Sequence, residues 1–534
     1  MTSPALVNVA AHLPKLAQRQ PDTLAVLCPI KSDREGRADY LRWTYRQLNE
    51  ESDLLAHGLE AVGVRRGVRT VLMVKPSLEF FALTFALFKI GAVPVLVDPG
   101  MGVKHLGKCL AEAEPAVFIG IPRAHVGRVL FGWAKQTLRT LVTVGRKWGW
   151  GGHTLADIRQ RGAGRPAFPL APTTGEEVAA ILFTSGSTGP PKGAVYTHGI
   201  FASQVAMLRD LYDIRPGEID LCTFPLFALF APALGMTAVI PDMDATRPGS
   251  VRPANVIAPI RAFSVTNMFG SPALLRRVVS AGQPLPSLKR VISAGAPVPA
   301  DLIERFTALL PAGAQLYTPY GATEALPVCS IGSDEILKET RFRTAEGAGV
   351  CVGRPVAGMQ VRIIRISDEP IAAWSDDLLS PRSEIGEITV QGPVVTREYF
   401  NRPEATALHK ITAPDGFWHR MGDVGYFDEQ GRLWFCGRKA HRVRTATQTL
   451  FTIPCEAVFN THSGVSRTAL VGVGPPGQAR PVLCVELKEE RRHTDQEQVR
   501  RELLQLGAAR PHTREIATIL FHRGFPVDIR HNAK

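Results

Sequence analysis

Apolar positions in the first third of the chain alternate between helical and strand spacing. After Thr44 and Gln47, which have the spacing of a capping box, apolar residues recur at helical intervals, namely Leu48, Leu54, Leu55, Leu59 and Val62. This pattern predicts an amphipathic helix that ends at Gly63, because glycine commonly terminates helices.

A β-α-β unit follows this first helix. Residues 70–74 form a short apolar run that predicts a strand, 78–88 have helical character, and 92–97 predict a second strand. The most hydrophobic stretch, 80–97, is interrupted by Lys89, Gly91 and Pro94, whereas a membrane span needs about 20 uninterrupted apolar residues. We therefore predict a buried helix followed by a strand, and no transmembrane segment.

Similar apolar runs at 141–144 and 179–183 continue this alternation and predict a layered α/β domain with a mainly parallel sheet.

The chain has 534 residues, whereas single hydrophobic cores stop growing near about 250–300 residues, so it should contain more than one domain. Further strands are predicted at 387–390 and 433–435, and a basic cluster starts at Arg438. We predict a large N-terminal domain at 1–437 and a small C-terminal domain at 438–534.

The formal net charge of +13 indicates a surface that attracts anions, such as nucleotides, phosphate esters, acidic carriers, nucleic acid or anionic lipid. The basic cluster 438–444 is too short to indicate a nucleic-acid-binding module, and we expect no nucleic-acid partner.

The start of the chain lacks the pattern of a signal peptide, which predicts a cytoplasmic protein.

The most informative stretch for chemistry is a Gly- and Ser-rich loop after the predicted strand 179–183. Its members are Thr184, Ser185, Gly186, Ser187, Thr188, Gly189, Pro190, Pro191, Lys192 and Gly193. Small residues let backbone N–H groups and hydroxyls approach phosphate oxygens, and Lys192 adds a cation. Pro191 before the lysine and Gly193 after it exclude a Walker A loop. A flexible Gly/Ser linker is the structural alternative.

Four later motifs accompany this loop in a fixed order. They are Ser293-Ala294-Gly295-Ala296-Pro297, Tyr320-Gly321-Ala322-Thr323-Glu324, the stretch 386–393 followed by Gly422-Asp423, and Gly437-Arg438. With these motifs nearly the whole chain resembles the acyl-adenylate-forming (ANL) superfamily, which includes acyl-CoA synthetases and peptide-synthetase adenylation domains. The resemblance implies an AMP-forming ligase that uses ATP and Mg²⁺, with a large layered α/β domain and a small, mobile α+β C-terminal domain.

The resemblance also assigns roles to individual residues. ATP would be bound by the loop residues Thr184, Ser185, Gly186, Ser187, Thr188, Gly189 and Lys192, by Ala294, Gly295 and Ala296, and by Tyr320, Gly321, Thr323, Asp423 and Arg438. Each role fits the side chain: Tyr320 offers an aromatic face to adenine, Thr323 a hydroxyl to the α-phosphate, and Asp423 two acceptors to the ribose diol. Glu324 provides a hard oxygen for Mg²⁺, and Thr184 is its expected companion ligand.

The expected catalytic residues are Lys192, Thr323, Glu324 and the terminal Lys534. Residues 526–534 resemble the final motif of the superfamily, whose lysine stabilises charge at the α-phosphate and the attacked carboxylate during adenylation. Ala533 stands where that motif usually has Gly. Superfamily members normally continue beyond this lysine, so we expect that the natural chain is longer. An exposed terminal lysine is the alternative interpretation.

Departures from the superfamily pattern narrow the predicted reaction. Ala440 replaces the usual hinge Asp, and Thr447 replaces a Gly that lines the pantetheine tunnel of thioester-forming members. A β-branched residue there restricts the backbone and narrows the space for a second substrate. Met421 and Ala228 replace the usual Thr and His of two further motifs.

With these departures, the stretch 224–235 makes the chain resemble the OleC-type olefin β-lactone synthetases of bacterial olefin biosynthesis. This resemblance implies that ATP activates a 2-alkyl-3-hydroxy fatty acid, whose own β-hydroxyl then displaces AMP to form a β-lactone. It also implies a complex with other olefin-biosynthesis enzymes. The expected alkyl pocket consists of Phe227, Leu229, Phe230, Leu234, Met268 and Phe269, with an ordinary core as the alternative for about half of them.

Two other functions remain open at this stage. A long-chain acyl-CoA ligase or acyl-AMP ligase would share every adenylation residue, although Ala440 and Thr447 argue against it. A catalytically silent acyl- or nucleotide-binding protein is disfavoured by the intact Lys192, Thr323 and Glu324. His198 and His441 are candidate bases for the hydroxyl proton, with structural roles as the alternative.

Overall fold

The computed structural model describes residues 5–183, 190–491 and 495–526. The strands of the first half are β1 (Leu24–Ser32), β2 (Ala38–Thr44), β3 (Arg69–Met73), β4 (Val93–Leu96), β5 (Val117–Gly120), β6 (Thr140–Thr143), β7 (His153–Thr154), β8 (Val178–Phe183), β9 (Gly193–Thr197), β10 (Ile219–Leu221), β11 (Thr237–Val239) and β12 (Asn267–Phe269). Those of the second half are β13 (Arg290–Ile292), β14 (Gln315–Tyr317), β15 (Tyr320–Ala322), β16 (Ala325–Ser330), β17 (Val350–Pro355), β18 (Gln360–Ile364), β19 (Gly386–Gln391), β20 (Lys410–Ala413), β21 (Gly416–Phe427), β22 (Leu433–Arg438), β23 (Val443–Arg444), β24 (Thr449–Leu450), β25 (Val465–Val473), β26 (Arg480–Leu487) and β27 (Thr518–His522).

Helices connect most of these strands. In the first half they are α1 (His12–Arg19), α2 (Tyr45–Ala61), α3 (Leu78–Ile90), α4 (Val103–Ala113), α5 (Pro122–Phe131), α6 (Leu155–Gly162), α7 (His198–Leu211), α8 (Pro225–Ala228), α9 (Phe230–Ala233) and α10 (Pro253–Ala262). In the second half they are α11 (Pro272–Val279), α12 (Ala300–Thr307), α13 (Ser333–Glu335), α14 (Arg341–Ala345), α15 (Pro403–His409), α16 (Thr452–Phe459) and α17 (Gln496–Ala508).

Two mainly parallel sheets form the body of the protein. One has the strand order β7-β6-β5-β3-β4-β8-β9, with only β9 antiparallel to its neighbour. The other has the order β14-β13-β12-β10-β11-β1-β2, with only β2 antiparallel. The predicted α/β class with a mainly parallel sheet is confirmed.

Helices α2 and α3 fill the space between these sheets. Thr44 and Gln47 form the predicted capping box, in which each side chain bonds the backbone of the other residue. Every residue of α3 except Glu79 is buried, as expected for a helix that is apolar on all sides. The surrounding core joins residues of both sheets, such as Val26 of β1 and Ala180 of β8. The predicted buried helix followed by a strand is therefore confirmed.

An antiparallel sheet of the order β15-β16-β17-β22-β21-β19-β18, with β20 beside β21, lies C-terminal to the two parallel sheets in sequence. The predicted strands at 387–390 and 433–435 lie in β19 and β22. After β22, the chain between Val443 and Phe521 packs around a core of its own beneath the sheet β25-β26-β27. The boundary between 437 and 438 stays a prediction, although this separate core agrees with it.

The basic cluster 438–444 is tied to carboxylates at the junction of these two regions. Lys439 lies 2.9 Å from Glu387, and Arg442 lies 2.6 Å from Asp368. Glu387 also pairs with Arg420 of β21 at 2.7 Å, and both of these side chains are almost completely buried. One buried carboxylate therefore joins β19, β21 and the start of the C-terminal region.

No helix in the three described segments is long and apolar enough to cross a membrane.

Glu387→Gln should lower the free energy of unfolding by about 3–5 kcal/mol, because it leaves the buried Arg420 without its counter-charge. Chemical unfolding of the full chain checks this value. Asp33→Asn is the matched control: its partner Arg37 lies on the surface, and this change should have almost no effect. Equal effects of the two substitutions would contradict the structural role of Glu387.

Candidate active site

Thr323 and Glu324 form the two-residue turn of the hairpin β15–β16. Ala322 and Ala325 are paired across the hairpin, so these two residues alone connect the strands. Gly321 precedes the turn at a crowded position, where a Cβ atom would lie 2.5 Å from the Ala325 carbonyl oxygen. The sequence pattern therefore produces a tight turn with Thr323 and Glu324 at its tip.

Both backbone carbonyls of this turn are fixed by residues distant in sequence. The phenol of Tyr196 in β9 donates a hydrogen bond of 2.5 Å to the Thr323 carbonyl oxygen. The backbone N–H of Thr396 donates one of 2.8 Å to the Glu324 carbonyl oxygen. Burial raises the pKa of Tyr196, which keeps its phenol protonated and able to donate. The turn is held from two sides.

The Glu324 carboxylate has a well-defined partner in Tyr399. The phenol of Tyr399 donates a 2.7 Å hydrogen bond to Glu324 Oε1. Burial and the Glu324 carboxylate raise the pKa of Tyr399, so the phenol remains a donor. Glu324 Oε2 accepts no hydrogen bond within the described residues, which leaves one hard oxygen available to a cation.

Lys192 joins this group through the pairing of β9. Gly193 accepts a backbone hydrogen bond from Phe400, and Ala194 bridges to Tyr399. This pairing places Lys192 Nζ 4.9 Å from the centre of the Tyr399 ring. Burial lowers the pKa of Lys192, and the Glu324 carboxylate opposes that change.

Tyr320, Asp423 and Arg438 form a second group at the edge of the antiparallel sheet. The phenol of Tyr320 donates a 2.7 Å hydrogen bond to Asp423 Oδ2. Asp423 and Arg438 face each other across β21 and β22, and Arg438 Nη1 lies 2.8 Å from Asp423 Oδ1. Burial raises the pKa of Asp423, while Arg438 and Tyr320 lower it.

The group around Glu324 and the group around Asp423 lie close to each other. Thr323 and Glu324 follow Tyr320 directly in the chain, and Arg438 is close enough to lower the pKa of Tyr399. Asp423 Oδ1 is ion-paired with Arg438 at 2.8 Å but accepts no well-directed hydrogen bond among the described residues. A buried carboxylate oxygen held in this way has a lone pair left to accept from a ligand hydroxyl.

The predicted adenine segment follows the carboxyl end of β13. Gly295 has a φ of +95°, which favours glycine, and it separates Ala294 from Ala296 in an exposed bend. The neighbouring Ser293 hydroxyl is buried without a hydrogen-bond partner among the described residues. The roles of Ala294, Gly295 and Ala296 stay predictions.

Seven predicted site residues lie outside the described residues. They are Thr184, Ser185, Gly186, Ser187, Thr188, Gly189 and Lys534. The structure describes the strand before this loop, β8, and the segment after it from Pro190 onwards.

The predicted alkyl pocket divides into three environments. Phe227 and Phe269 contact each other edge to face at 4.6 Å, and both are only partly buried. Leu229 and Phe230 lie at the margin of the core between the sheets, to which Leu234 belongs. Met268 is fully buried in a different core. The assignment of these six residues to a pocket stays a prediction.

Sequence reasoning missed Tyr399, Tyr196 and Lys410. Burial lowers the pKa of Lys410 to about 7, and its ammonium group donates to the Thr396 carbonyl oxygen. Lys410 and Tyr399 line an open cavity of about 430 Å³ together with Arg402. Tyr196 and Tyr399 reach the site through the pairing of β9 with the segment near 398, and Lys410 through the pairing of β20 with β21. A local sequence pattern gives no signal for either pairing.

The two candidate bases lie in different surroundings. His198 is buried, accepts a 3.2 Å hydrogen bond from the Val9 backbone at Nδ1, and has its pKa lowered to about 4 by burial. His441 lies in an exposed turn at 439–441. Neither residue contacts the groups around Glu324 or Asp423 through a hydrogen bond described in the structure.

The chain matches the family of AMP-binding enzymes over residues 13–400. It is 54% identical to the olefin β-lactone synthetase of Xanthomonas campestris and 55% identical to that of Stenotrophomonas maltophilia, in each case over 99% of this chain and 96% of the relative. Its fold resembles that of the anthranilate CoA ligase AuaEII in complex with anthranoyl-AMP. The TM-score of that comparison is 0.80 at 19% identity, with 99% of this chain and 96% of the other covered. The chain therefore belongs to the AMP-binding enzymes and, within them, to the olefin β-lactone synthetases.

Proposed function

We propose that the protein converts a 2-alkyl-3-hydroxy fatty acid into a β-lactone at the expense of ATP. In the first step, a carboxylate oxygen of the substrate attacks the α-phosphorus of ATP, and pyrophosphate leaves. In the second step, the β-hydroxyl oxygen attacks the acyl carbon, the bond from that carbon to the phosphate oxygen breaks, and AMP leaves. The hydroxyl proton passes to a base in this step.

The observation that carries the proposal is that two kinds of group lie close together. Asp423 can accept hydrogen bonds from a ribose, and Glu324 and Lys192 are suited to a polyphosphate and its metal ion. Buried Asp423 Oδ1 is ion-paired with Arg438 and accepts no well-directed hydrogen bond among the described residues, and a vicinal diol supplies two donors. Tyr320 and Arg438 hold the Asp423 carboxylate in place. In our proposal, Tyr320 and Gly321 with Ala294, Gly295 and Ala296 bind the adenine side of the nucleotide.

On the phosphate side, Lys192, Thr323 and Glu324 would contact ATP directly. Glu324 Oε2, with Oε1 bonded to Tyr399, fits the hard oxygen donor that Mg²⁺ requires, and Thr184 is its proposed companion. Mg²⁺, when bound, neutralises charge on the phosphates. Lys192 would supply a second positive charge, and the loop 184–189 would supply backbone N–H groups. Lys534 completes the proposed catalytic set.

The C-terminal region departs from the superfamily pattern at Ala440 and Thr447, and these departures agree with attack by the substrate's own hydroxyl. Thr447 donates a 2.7 Å hydrogen bond to Glu515 and also bonds Thr445, which fixes its side chain across the turn between β23 and β24. This β-branched residue occupies the position that the superfamily pattern gives to a tunnel glycine, and Ala440 occupies that of the hinge aspartate. A hydroxyl on the substrate itself needs no second binding event, so its effective concentration helps to offset the strain of a four-membered ring.

Phe227 and Phe269 are the strongest candidates for contact with the alkyl chains, because they are partly exposed and pack against each other. The cytoplasmic location and the complex with other olefin-biosynthesis enzymes stay predictions.

The proposed reaction predicts a β-lactone as the product of incubation with ATP, Mg²⁺ and a 2-alkyl-3-hydroxy acid. NMR of the extracted product should show the same lactone with and without CoA, and CoA should not be consumed. Formation of acyl-CoA from a simple fatty acid, with no lactone from the hydroxy acid, would support the acyl-CoA ligase instead.

Glu324→Gln should slow acyl-adenylate formation by about 10²–10³-fold, because a neutral amide replaces the charged group that acts on the phosphates. Pyrophosphate release measures this rate. Glu384→Gln is the matched control, because Glu384 is exposed and lies outside the site, and it should leave the rate unchanged. A wild-type rate in Glu324→Gln would remove Glu324 from the proposed machinery.

Asp423→Ala should weaken AMP binding by at least about tenfold, because the charged acceptor for the ribose is lost. Isothermal titration calorimetry with AMP alone checks this without the chemical step. Asp423→Asn should lie between Ala and wild type, since the amide keeps one acceptor. Unchanged AMP affinity in both variants would contradict the ribose assignment.

A further inference from the structure

The last turn of α5 carries three large apolar side chains in solvent. The side chains of Val129, Leu130 and Phe131 are 56%, 72% and 56% exposed. Trp148 is also 56% exposed and contacts Trp150 at 5.4 Å, and Trp150 stacks on His125 at 5.2 Å. His125 precedes Val129 by one helical turn, so the Trp148–Trp150 pair lies beside the last turn of α5. We call Val129, Leu130, Phe131 and Trp148 the apolar tip.

The apolar tip rests on a firmly packed base. Trp133 is buried and lies against both neighbouring helices, because Cβ atoms added to Gly107 in α4 and Gly127 in α5 would fall 3.2 Å and 2.8 Å from its ring. His125 is fully buried and contacts the Val142 carbonyl oxygen at 3.1 Å. The exposure of the tip therefore does not come from loose packing of α5.

The surface around the apolar tip is strongly basic. Residues 102–149 contain eight Lys or Arg and two Glu, so this short segment provides a large part of the net charge of +13. Both Glu residues are engaged, Glu112 with Arg402 at 2.6 Å and Glu114 with Arg69 at 3.5 Å. The exposed basic residues are Lys104, Lys108, Arg123, Lys135, Arg139, Arg146 and Lys147. We call these seven residues the basic ring.

An exposed helix end with aromatic and aliphatic side chains, in a segment rich in exposed cations, has the chemistry of a surface that lies in the headgroup region of an anionic bilayer. The apolar side chains enter the boundary between headgroups and acyl chains, while the cations meet the phosphates. Exposed apolar side chains insert into a fluid layer without a preformed pocket, whereas a hot spot on a protein partner needs one. We propose that the apolar tip and the basic ring dock this protein on the surface of an anionic phospholipid bilayer.

The apolar tip is separate from the candidate active site. Helix α5 connects β5 and β6, near the β7 edge of its sheet, whereas the predicted phosphate loop follows β8 near the opposite edge. Three strand spacings separate β5 from β8, which is about 14 Å. Substitutions in the tip should therefore leave the chemistry intact, and the proposal does not depend on which reaction the protein catalyses.

Sedimentation of the full-length protein with vesicles tests the proposal. The protein should bind vesicles that contain phosphatidylglycerol and phosphatidylcholine, and should bind pure phosphatidylcholine vesicles much more weakly. Leu130→Ser with Phe131→Ser should weaken binding by at least about tenfold. Lys135→Gln with Arg139→Gln should weaken it by about fivefold per charge, and more so at low salt.

Leu41→Ser is the matched control, because Leu41 is 54% exposed in β2 outside the tip. It should bind vesicles like the wild type, and pyrophosphate release with a detergent-dispersed substrate should be equal in all variants. Absence of binding to phosphatidylglycerol vesicles would overturn the proposal, including the case in which only an acidic protein binds the surface. Equal binding to neutral vesicles, or equal loss in Leu41→Ser, would also overturn it.

Discussion

The hydrogen bonds donated to the Thr323 and Glu324 carbonyl oxygens are the constraint on which the candidate site depends. A two-residue turn would otherwise leave two partly buried acceptors without protein donors, at a cost of up to about 1–3 kcal/mol each. Tyr196 of β9 and Thr396 of a later segment supply these donors. Because the donors come from separate elements, the position of Glu324 is set by how the two sheets meet.

The same junction fixes the cationic side of the site. Lys192 directly precedes β9, whose first residues pair with the segment around Tyr399. Tyr399 thus contacts Glu324 through its phenol and Lys192 through its ring. One aromatic side chain holds an anion and a cation at defined separations. Tyr399 is buried and the two charged side chains are partly buried, which strengthens their electrostatic interaction.

The sequence predicts well those features of the fold that depend on residues close together in the chain. The capping box at Thr44 and Gln47, the buried helix α3 and the strand before the phosphate loop follow from spacing and hydrophobicity, which act over a few residues. The loop itself lies outside the described residues. Tyr399, Tyr196 and Lys410 could not be predicted in this way, because strand pairing between distant segments brings them to the site. The basic cluster 438–444 shows the same limit. Its charges are paired with Asp368, Glu387 and Asp423 in the folded chain, whereas the seven cations of the basic ring are exposed.

The most direct test of the account is a double-mutant cycle between Tyr399 and Glu324, measured by ATP–pyrophosphate exchange. Tyr399→Phe removes only the phenol that orients Glu324 Oε1 and should slow exchange by about tenfold. If Tyr399 acts through Glu324, adding Tyr399→Phe to Glu324→Gln should cause less than about a twofold further loss. Independent effects, with the two losses multiplying in the double variant, would contradict the claim that the site is organised around the fixed Glu324 carboxylate.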